Sequence, residues 1–351
     1  MNSLAIGIMS GTSLDGIDIA LCHFSKPGNT WNYEIIDAQT ISYPAYWIEK
    51  LNSAHRLGAE EFLLLHNEYG IYTGELTTEF LRGKETPQLI ASHGHTIFHQ
   101  PDKKLTFQLG NGASVAAASG ITTVSDFRSF DVALGGQGAP LVPVGDQLLF
   151  PEFGYCLNIG GFANISYEAN GMRLAFDTCP ANIILNELAR QKGYSFDQDG
   201  HLGAAGTVNI PLLDRLNNLD YYHQKHPKSL GREWVENQII PLLSKSEITV
   251  EDKAATIYEH IAIQVSRVVN KNDTILVTGG GAKNLFLIEK LKQKIPCKLF
   301  LPEQMVIDFK EALIFAFLGV LALNGTLNVF SSVTGSMRDH IGGVIYPVVN
   351  K

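Results

Sequence analysis

The sequence predicts an α/β protein built from two domains, and three observations carry that expectation. At 351 residues the chain exceeds the size at which a single hydrophobic core usually stops growing. Short apolar runs ending in glycine-containing turns alternate with stretches of helical spacing. A strand, a glycine-containing turn and a returning strand open the chain, and the same device recurs near residue 155.

Composition narrows the class. Apolar residues make up 45% and charged residues 18%, a balance suited to well-buried sheets. A formal net charge of −8 excludes the basic face that a nucleic-acid partner requires. Cys22, Cys156, Cys179 and Cys297 are scattered and form no CxxC pair, which suits a reducing compartment. The N-terminus has no basic stretch followed by an apolar one. The longest apolar run, Ala312 to Leu323, is twelve residues and reads as a buried helix. A cytoplasmic protein with no membrane partner is expected.

Along the chain, Leu4 to Met9 is an apolar strand that enters the turn Ser10-Gly11-Thr12-Ser13-Leu14-Asp15-Gly16 and returns through Ile17 to Phe24. Glu60 to Leu81 carries Phe62, Leu65, Tyr69, Tyr72, Leu76 and Phe80 at helical spacing. Gln88 to Ser92 is a short strand, Gly112 to Ser119 a helical turn and Thr122 to Ser125 another strand. Asp126 to Pro143 is dense in glycine and proline and is expected to be the hinge. The domains are then residues 1–140 and 141–351. In the second, Tyr155 to Ile159, Ala163 to Tyr167 and Met172 to Phe176 are strands. A helix is expected from Pro180 to Gly193 with Thr178 as N-cap. Glu251 to Asn270 turns Ile257, Ile261, Val265 and Val268 inward. Thr274 to Val277 is a strand meeting Gly279-Gly280-Gly281, followed by helices over Asn284 to Lys292 and Lys310 to Leu323.

The chemistry-bearing positions sit at the turns. Backbone N–H groups of Gly11, Thr12 and Ser13 can approach a phosphate closely, and Asp15 and Asp18 add carboxylates suited to a hydrated Mg²⁺. An ordinary hairpin turn would have the same composition. GxxxxGK[ST] and GxGxxG are both absent, which disfavours a P-loop kinase or a Rossmann dehydrogenase. Gly160-Gly161 and Gly279-Gly280-Gly281 follow apolar strands, where phosphates or ribose could be approached. Asp177 falls between a strand and a helix, the usual place for a catalytic group in an α/β fold; a helix N-terminal acid is the alternative. His93, His95 and His99 lack further metal ligands at recognisable spacing and read as hydrogen-bonding or substrate-contact histidines.

Taken in order, these segments are specific. They run Gly7 to Asp18, Ser92 to His99, Phe107 to Gly110, Ser125 to Ala133, Gly135 to Pro143, Leu157 to Ile165, Pro227 to Glu233 and Thr278 to Asn284. In this series the chain resembles the anhydro-N-acetylmuramic acid kinase family over essentially its whole length. The resemblance implies two actin-like, hexokinase-type lobes with nucleotide and substrate in a cleft between them. It implies a kinase that opens the 1,6-anhydro ring of N-acetylmuramic acid with water and phosphorylates the freed 6-oxygen from ATP, in cell-wall recycling. Asp177 matches the family's base. ATP with Mg²⁺ falls to Gly11, Thr12, Ser13, Leu14, Asp15, Gly16, Ile17, Asp18, Gly160, Gly161, Gly279, Gly280, Gly281 and Asn284, with Asp15 at the metal. The sugar falls to Ser92, His93, Gly94, Thr96, Gln108, Arg128 and Asp131. Arg128 suits the lactyl carboxylate, or else an internal pair with Asp126 or Asp131. A homodimer is compatible with this reading, although no residue pattern sets the oligomeric state.

One segment departs from the family's Asp-Thr-Gly-Pro-Gly-Asn and the Asp four residues on. Here it reads Asp177-Thr178-Cys179-Pro180-Ala181-Asn182, with Asn186 at the later position, and His95 stands where glutamine is more usual. A kinase of another amino sugar or anhydrosugar, and a non-catalytic nucleotide-binding regulator, are the rival expectations. Cys179 is either a reactive thiol near a helix N-terminus or a small buried filler.

Overall fold

The computed structural model describes residues 1–351 except 12, 13, 227, 272, 350 and 351. The chain forms two compact units, Met1–Phe150 joined by Phe309–Lys351, and Pro151–Asp308. The division at 140/141 therefore differs from the structure in two ways. The glycine- and proline-rich Asp126–Pro143 stretch lies inside the first unit, and the C-terminal residues return to that unit instead of ending in the second.

The first unit is built on strands β1 (Asn2–Ser10), β2 (Gly16–Ser25), β3 (Asn32–Ser42), β4 (Leu89–Gln100), β5 (Leu105–Leu109) and β6 (Thr123–Ser125), with β12 (Val344–Tyr346) added by the returning chain. Their order is β12-β6-β4-β1-β2-β3, and β5 pairs off the path with β4. β1, β2 and β3 are antiparallel neighbours, whereas β4 runs parallel to β1 and β6 parallel to β4. The second unit has β7 (Tyr155–Ile159), β8 (Phe162–Ala169), β9 (Met172–Pro180), β10 (Thr274–Thr278) and β11 (Lys298–Phe300), in the order β11-β10-β7-β8-β9. Here too the first three strands are antiparallel, and β10 and β11 follow in parallel. The two sheets thus repeat one topology, three antiparallel strands and then two parallel ones. The device shared by the two halves of the sequence is present in both units, and the expected α/β class holds.

Each sheet buries an apolar face. Ile6, Ile8, Ile17, Ile19 and Leu21 alternate on β1 and β2 and pack with Trp47, Leu65 and Tyr69. Leu65 and Tyr69 belong to the Ala59–Phe80 helix. In the second unit Leu157, Ile165 and Val277 pack against Ile257 and Ile261 of the Val250–Ser266 helix, whose N-cap Thr249 accepts from the Asp252 amide. The apolar run near the C-terminus lies in the Gln304–Leu323 helix, and its small residues let β1 come close: a Cβ on Gly7 would lie 1.8 Å from the Ala312 carbonyl oxygen. No helix among the described residues is long and apolar enough to cross a membrane.

Two local expectations are corrected. β4 continues through the histidine-rich segment to Gln100 instead of ending at Ser92, because it pairs with β5 beyond the point where β1 and β6 leave it. The helix after β9 starts at Asn182, not Pro180, and its N-cap is Ala181; Thr178 stays in the strand and donates to the Ala163 carbonyl at 2.9 Å.

Candidate active site

In the first unit β1 and β2 flank the segment from Gly11 to Asp15 that is expected to hold phosphate. Thr12 and Ser13 lie outside the described residues. Leu14 takes φ 59°, the left-handed region, and its amide approaches the Gly11 carbonyl at 3.4 Å. Gly16 begins β2 where a Cβ would stand 2.5 Å from the Ile41 carbonyl oxygen, which explains the glycine. Ile17 points into the core and carries no polar function. Asp15 is exposed, and Asp18 accepts from the Thr40 hydroxyl at 2.6 Å.

Beside this hairpin, β4 brings its polar segment together. Ser10 Oγ lies 2.8 Å from His95 Nδ1 and 2.6 Å from the Tyr43 hydroxyl, which in turn meets the Tyr69 hydroxyl. Burial pushes His95 down to about 4, so its ring is neutral near pH 7. His93 is buried and held well below the usual histidine range, first by desolvation and then by the Arg128 charge. Its Nδ1–H therefore donates to the Gly94 carbonyl at 2.8 Å, and Nε2 accepts from Arg128 Nε at 3.0 Å. Arg128 also donates to the Gly138 carbonyl at 2.7 Å. Two contacts fix the guanidinium plane, and the charges of Glu311 and Asp131 act on it without a salt bridge at contact distance to Asp126 or Asp131.

Gln108 on β5 faces Thr96 on β4 across 3.4 Å and donates to Thr106 at 3.0 Å, while its buried Oε1 has no partner among the described residues. Ser92 is buried on β4, one residue before His93. Asp131 does not join this group. It is fully buried, and its oxygens accept from the Gly138 amide and the Thr334 hydroxyl, each at 2.7 Å. Both oxygens are committed to binding the loop, which leaves none for a sugar.

Glu311 is a residue that sequence reasoning missed. It lies in the Gln304–Leu323 helix, and burial together with the nearby Asp18 raises its carboxyl above the usual range, with Arg128 and Lys310 opposing. The only signal was a single acid beside the long apolar run.

In the second unit Asp177 lies within β9, opposite Asn164 on β8. The register slips by one residue at this point: Ala163 faces Cys179 and Asn164 faces Asp177, with Thr178 as the extra residue of a β-bulge. Phe176 and Cys179 go into the apolar core, and Asp177 does not. The Leu230 amide donates to Asp177 Oδ2 at 2.8 Å, and the Tyr221 hydroxyl donates to its carbonyl at 2.6 Å. No described residue donates to Oδ1. Burial pushes the carboxyl up to about 6, against the pull of the Leu230 amide. A carboxylate titrating there, with one oxygen held and one available, is suited to taking a proton near neutral pH.

Gly279 takes φ 80°, and a Cβ there would meet Asn158 Oδ1 at 2.6 Å, so the turn after β10 requires glycine. Gly281 abuts Ile159, while Gly160, Gly161 and Gly280 have no atom within 3.6 Å of a built Cβ and can admit a close ligand. Asn284 is turned inward. Its Oδ1 caps the Leu285–Lys294 helix and its Nδ2 donates to the Tyr258 hydroxyl, so its side chain supports the turn and is not presented to a base or ribose.

Cys179 and Ala181 are fully buried in the core of the second unit. Desolvation raises the Cys179 thiol to about 12, which makes it the inert filler and not a reactive thiolate. Among the described residues no group of three or more His, Cys, Asp or Glu side chains forms a metal cluster.

Comparison with known proteins extends this geometry. The anhydro-N-acetylmuramic acid kinase family model matches residues 3–348. An anhydro-N-acetylmuramic acid kinase of Sulfurimonas denitrificans is 32% identical over 99% of this chain and 100% of its own length. Another, from Aliivibrio fischeri, is 36% identical over 97% and 98%. Among solved structures, an activator of 2-hydroxyisocaproyl-CoA dehydratase from Clostridium difficile with bound ADPNP is 16% identical, with a TM-score of 0.42, over 93% of this chain and 99% of that one. With a family model spanning nearly every residue and full-length relatives above 30% identity, the chain belongs to the anhydro-N-acetylmuramic acid kinase family.

Proposed function

We propose that this protein is the ATP-dependent kinase of 1,6-anhydro-N-acetylmuramic acid, which it converts to N-acetylmuramic acid 6-phosphate during cell-wall recycling. The observation that carries this reading is Asp177, whose carboxyl titrates near 6 and keeps one oxygen available. Asp177 accepts a proton from water as that water attacks the anomeric carbon, and the C1–O6 ether bond breaks. The freed 6-oxygen then takes the γ-phosphoryl group. The Leu230 amide keeps the carboxylate oriented through the proton transfer. Arg128, fixed by His93 and Gly138, directs its remaining N–H groups to the lactyl carboxylate. Gln108, through its unpaired Oε1, accepts from a sugar hydroxyl or the acetamido N–H.

The residues present fit Mg-ATP. Asp18 and Glu311 are near enough for one to raise the other's carboxyl, a pairing that a divalent cation relieves, and Asp15 stands exposed on the adjoining turn. Mg²⁺ retains several waters and takes few protein carboxylates, so Asp18 and Glu311 with Asp15 nearby would suffice to hold it. When bound, Mg²⁺ with the backbone donors of the hairpin neutralises charge on the transferring phosphoryl group. Gly160, Gly161 and Gly280 offer a second set of close-approach positions for the nucleotide, on turns that Gly279 and Gly281 shape.

The buried positions of Cys179 and Ala181 favour this substrate over another sugar, because these departures from the family pattern are turned into the core. Incubation with Mg-ATP and a panel of amino sugars tests the reading. Phosphorylation of the anhydro sugar in clear preference to N-acetylglucosamine and ring-opened N-acetylmuramic acid is expected. Preference for either of the latter would overturn it.

A further inference from the structure

On the core-facing side of β9, behind Asp177, the second unit holds a cavity of about 270 Å³. Phe176, Tyr222 and Val268 form its apolar wall, and Lys225, Lys228 and Arg267 line it together. No carboxylate lines it, in a chain whose net charge is −8. None of the three cations forms an ion pair with a described carboxylate. Lys228 donates to the Tyr221 carbonyl at 3.0 Å and lies over the Phe176 and Tyr221 rings. Arg267 donates to Gln264 at 3.2 Å, which orients the guanidinium without neutralising it. His226 stacks on Phe176 with ring centroids 5.5 Å apart. Three uncompensated cations around an apolar wall describe a receptor for a small anion with a non-polar or sugar face.

We infer that this cavity is a regulatory site for a phosphate dianion, carried by a small phosphomonoester and held by Lys225, Lys228 and Arg267. The segment that lines it also reaches the base. Tyr222, Lys225 and Lys228 contribute to the cavity, and two residues after Lys228 the Leu230 amide donates to Asp177 Oδ2. Tyr221, next to Tyr222, donates to the Asp177 carbonyl. Tyr222, Lys225 and Lys228 thus line the cavity, while the neighbouring Tyr221 and Leu230 hold the carboxylate residue. An anion that draws in Lys225 and Lys228 tightens or loosens the Leu230 contact, and with it the proton affinity of Asp177. A phosphorylated sugar, the class of product this enzyme releases, would thus regulate its own formation.

The regulatory step rests on Asp177 as the base, whereas the binding site does not. Isothermal titration of the full chain without ATP, using inorganic phosphate and glucose 6-phosphate as probes, separates the two. At pH 5, below the Asp177 value of about 6, the wild type and Asp177→Asn are expected to bind the ester alike. Lys225→Gln with Arg267→Gln is expected to weaken binding at least tenfold while leaving turnover without ester unchanged. Equal binding by that double variant would overturn the site. Ester binding at least tenfold tighter than phosphate assigns the site to phosphomonoesters; equal binding assigns it to free phosphate, and either supports the shared chemistry. Saturating ester should move the acid limb of the pH–rate profile in the wild type but not in the double variant. An unmoved wild-type profile would overturn the coupling to Asp177.

Discussion

Asp177 is a carboxylate placed at a cost to stability. Its folded pKa of about 6 lies above the 3.8 of a free aspartate, so between those values the folded protein holds a proton that the unfolded chain has released. Stability therefore falls as pH rises from about 4 to 6, and above 6 the full cost of the buried charge remains. Asp177→Asn keeps an acceptor for the Leu230 amide and removes that cost. Relative to wild type, the variant should gain about 1–2 kcal/mol in denaturant melts at pH 7.5 and almost nothing at pH 4, after allowance for partial solvent screening. The same variant should lose about 10²–10⁴-fold in turnover, and the acid limb near pH 6 should vanish from its residual kcat/KM profile. A variant that keeps both its rate and its acid limb would remove Asp177 from the base's role. The residue itself was legible because a lone carboxylate followed an apolar strand. Its tuning was not, since the Leu230 donor is a main-chain group without a side-chain signature. Asp131 misled for the opposite reason: an acid beside Arg128 looked available, but its Thr334 partner lies 203 positions away in the chain.

At the level of elements, the bulge at Thr178 sends Cys179 into the core while Asp177 stays out of it. Cys179→Gly with Ala181→Gly should therefore leave sugar preference unchanged. The pair should lower stability by about 2 kcal/mol, from the lost packing and the extra backbone entropy of the unfolded chain. A changed preference in the substrate panel, with stability intact, would place these side chains at the sugar instead. Shortening the Leu230 loop's reach offers a second check. Leu230→Pro deletes the amide donor, so the acid limb should move above pH 6 by about one unit or more, provided circular dichroism shows the fold retained. Strands with apolar alternation and glycine-bounded helices were readable in the sequence. β3 was not, because it is largely half-exposed and polar, and β11 and β12 are three-residue edge strands with too little pattern to detect.

Across the whole molecule, one topology is used twice, and the chain returns to its first unit after completing the second. That return is anchored by buried polar contacts that no local pattern announces. Lys310 Nζ lies 2.6 Å from Asp146 Oδ1, with both side chains about 5% exposed or less. Lys310→Met should destabilise the protein by about 3 kcal/mol in urea melts, because it leaves the Asp146 charge buried without its cation. A loss below about 1 kcal/mol would show the pair to be incidental. Ring opening by water is tested by turnover of the anhydro sugar with Mg-ATP in heavy-oxygen water, followed by mass spectrometry of the product. One solvent oxygen at the anomeric carbon and none in the phosphate ester linkage is the predicted result, since water opens the ring at C1 and the original ether oxygen carries the phosphate. Product with no solvent oxygen at C1, or with solvent oxygen bridging C6 and phosphorus, would contradict the account.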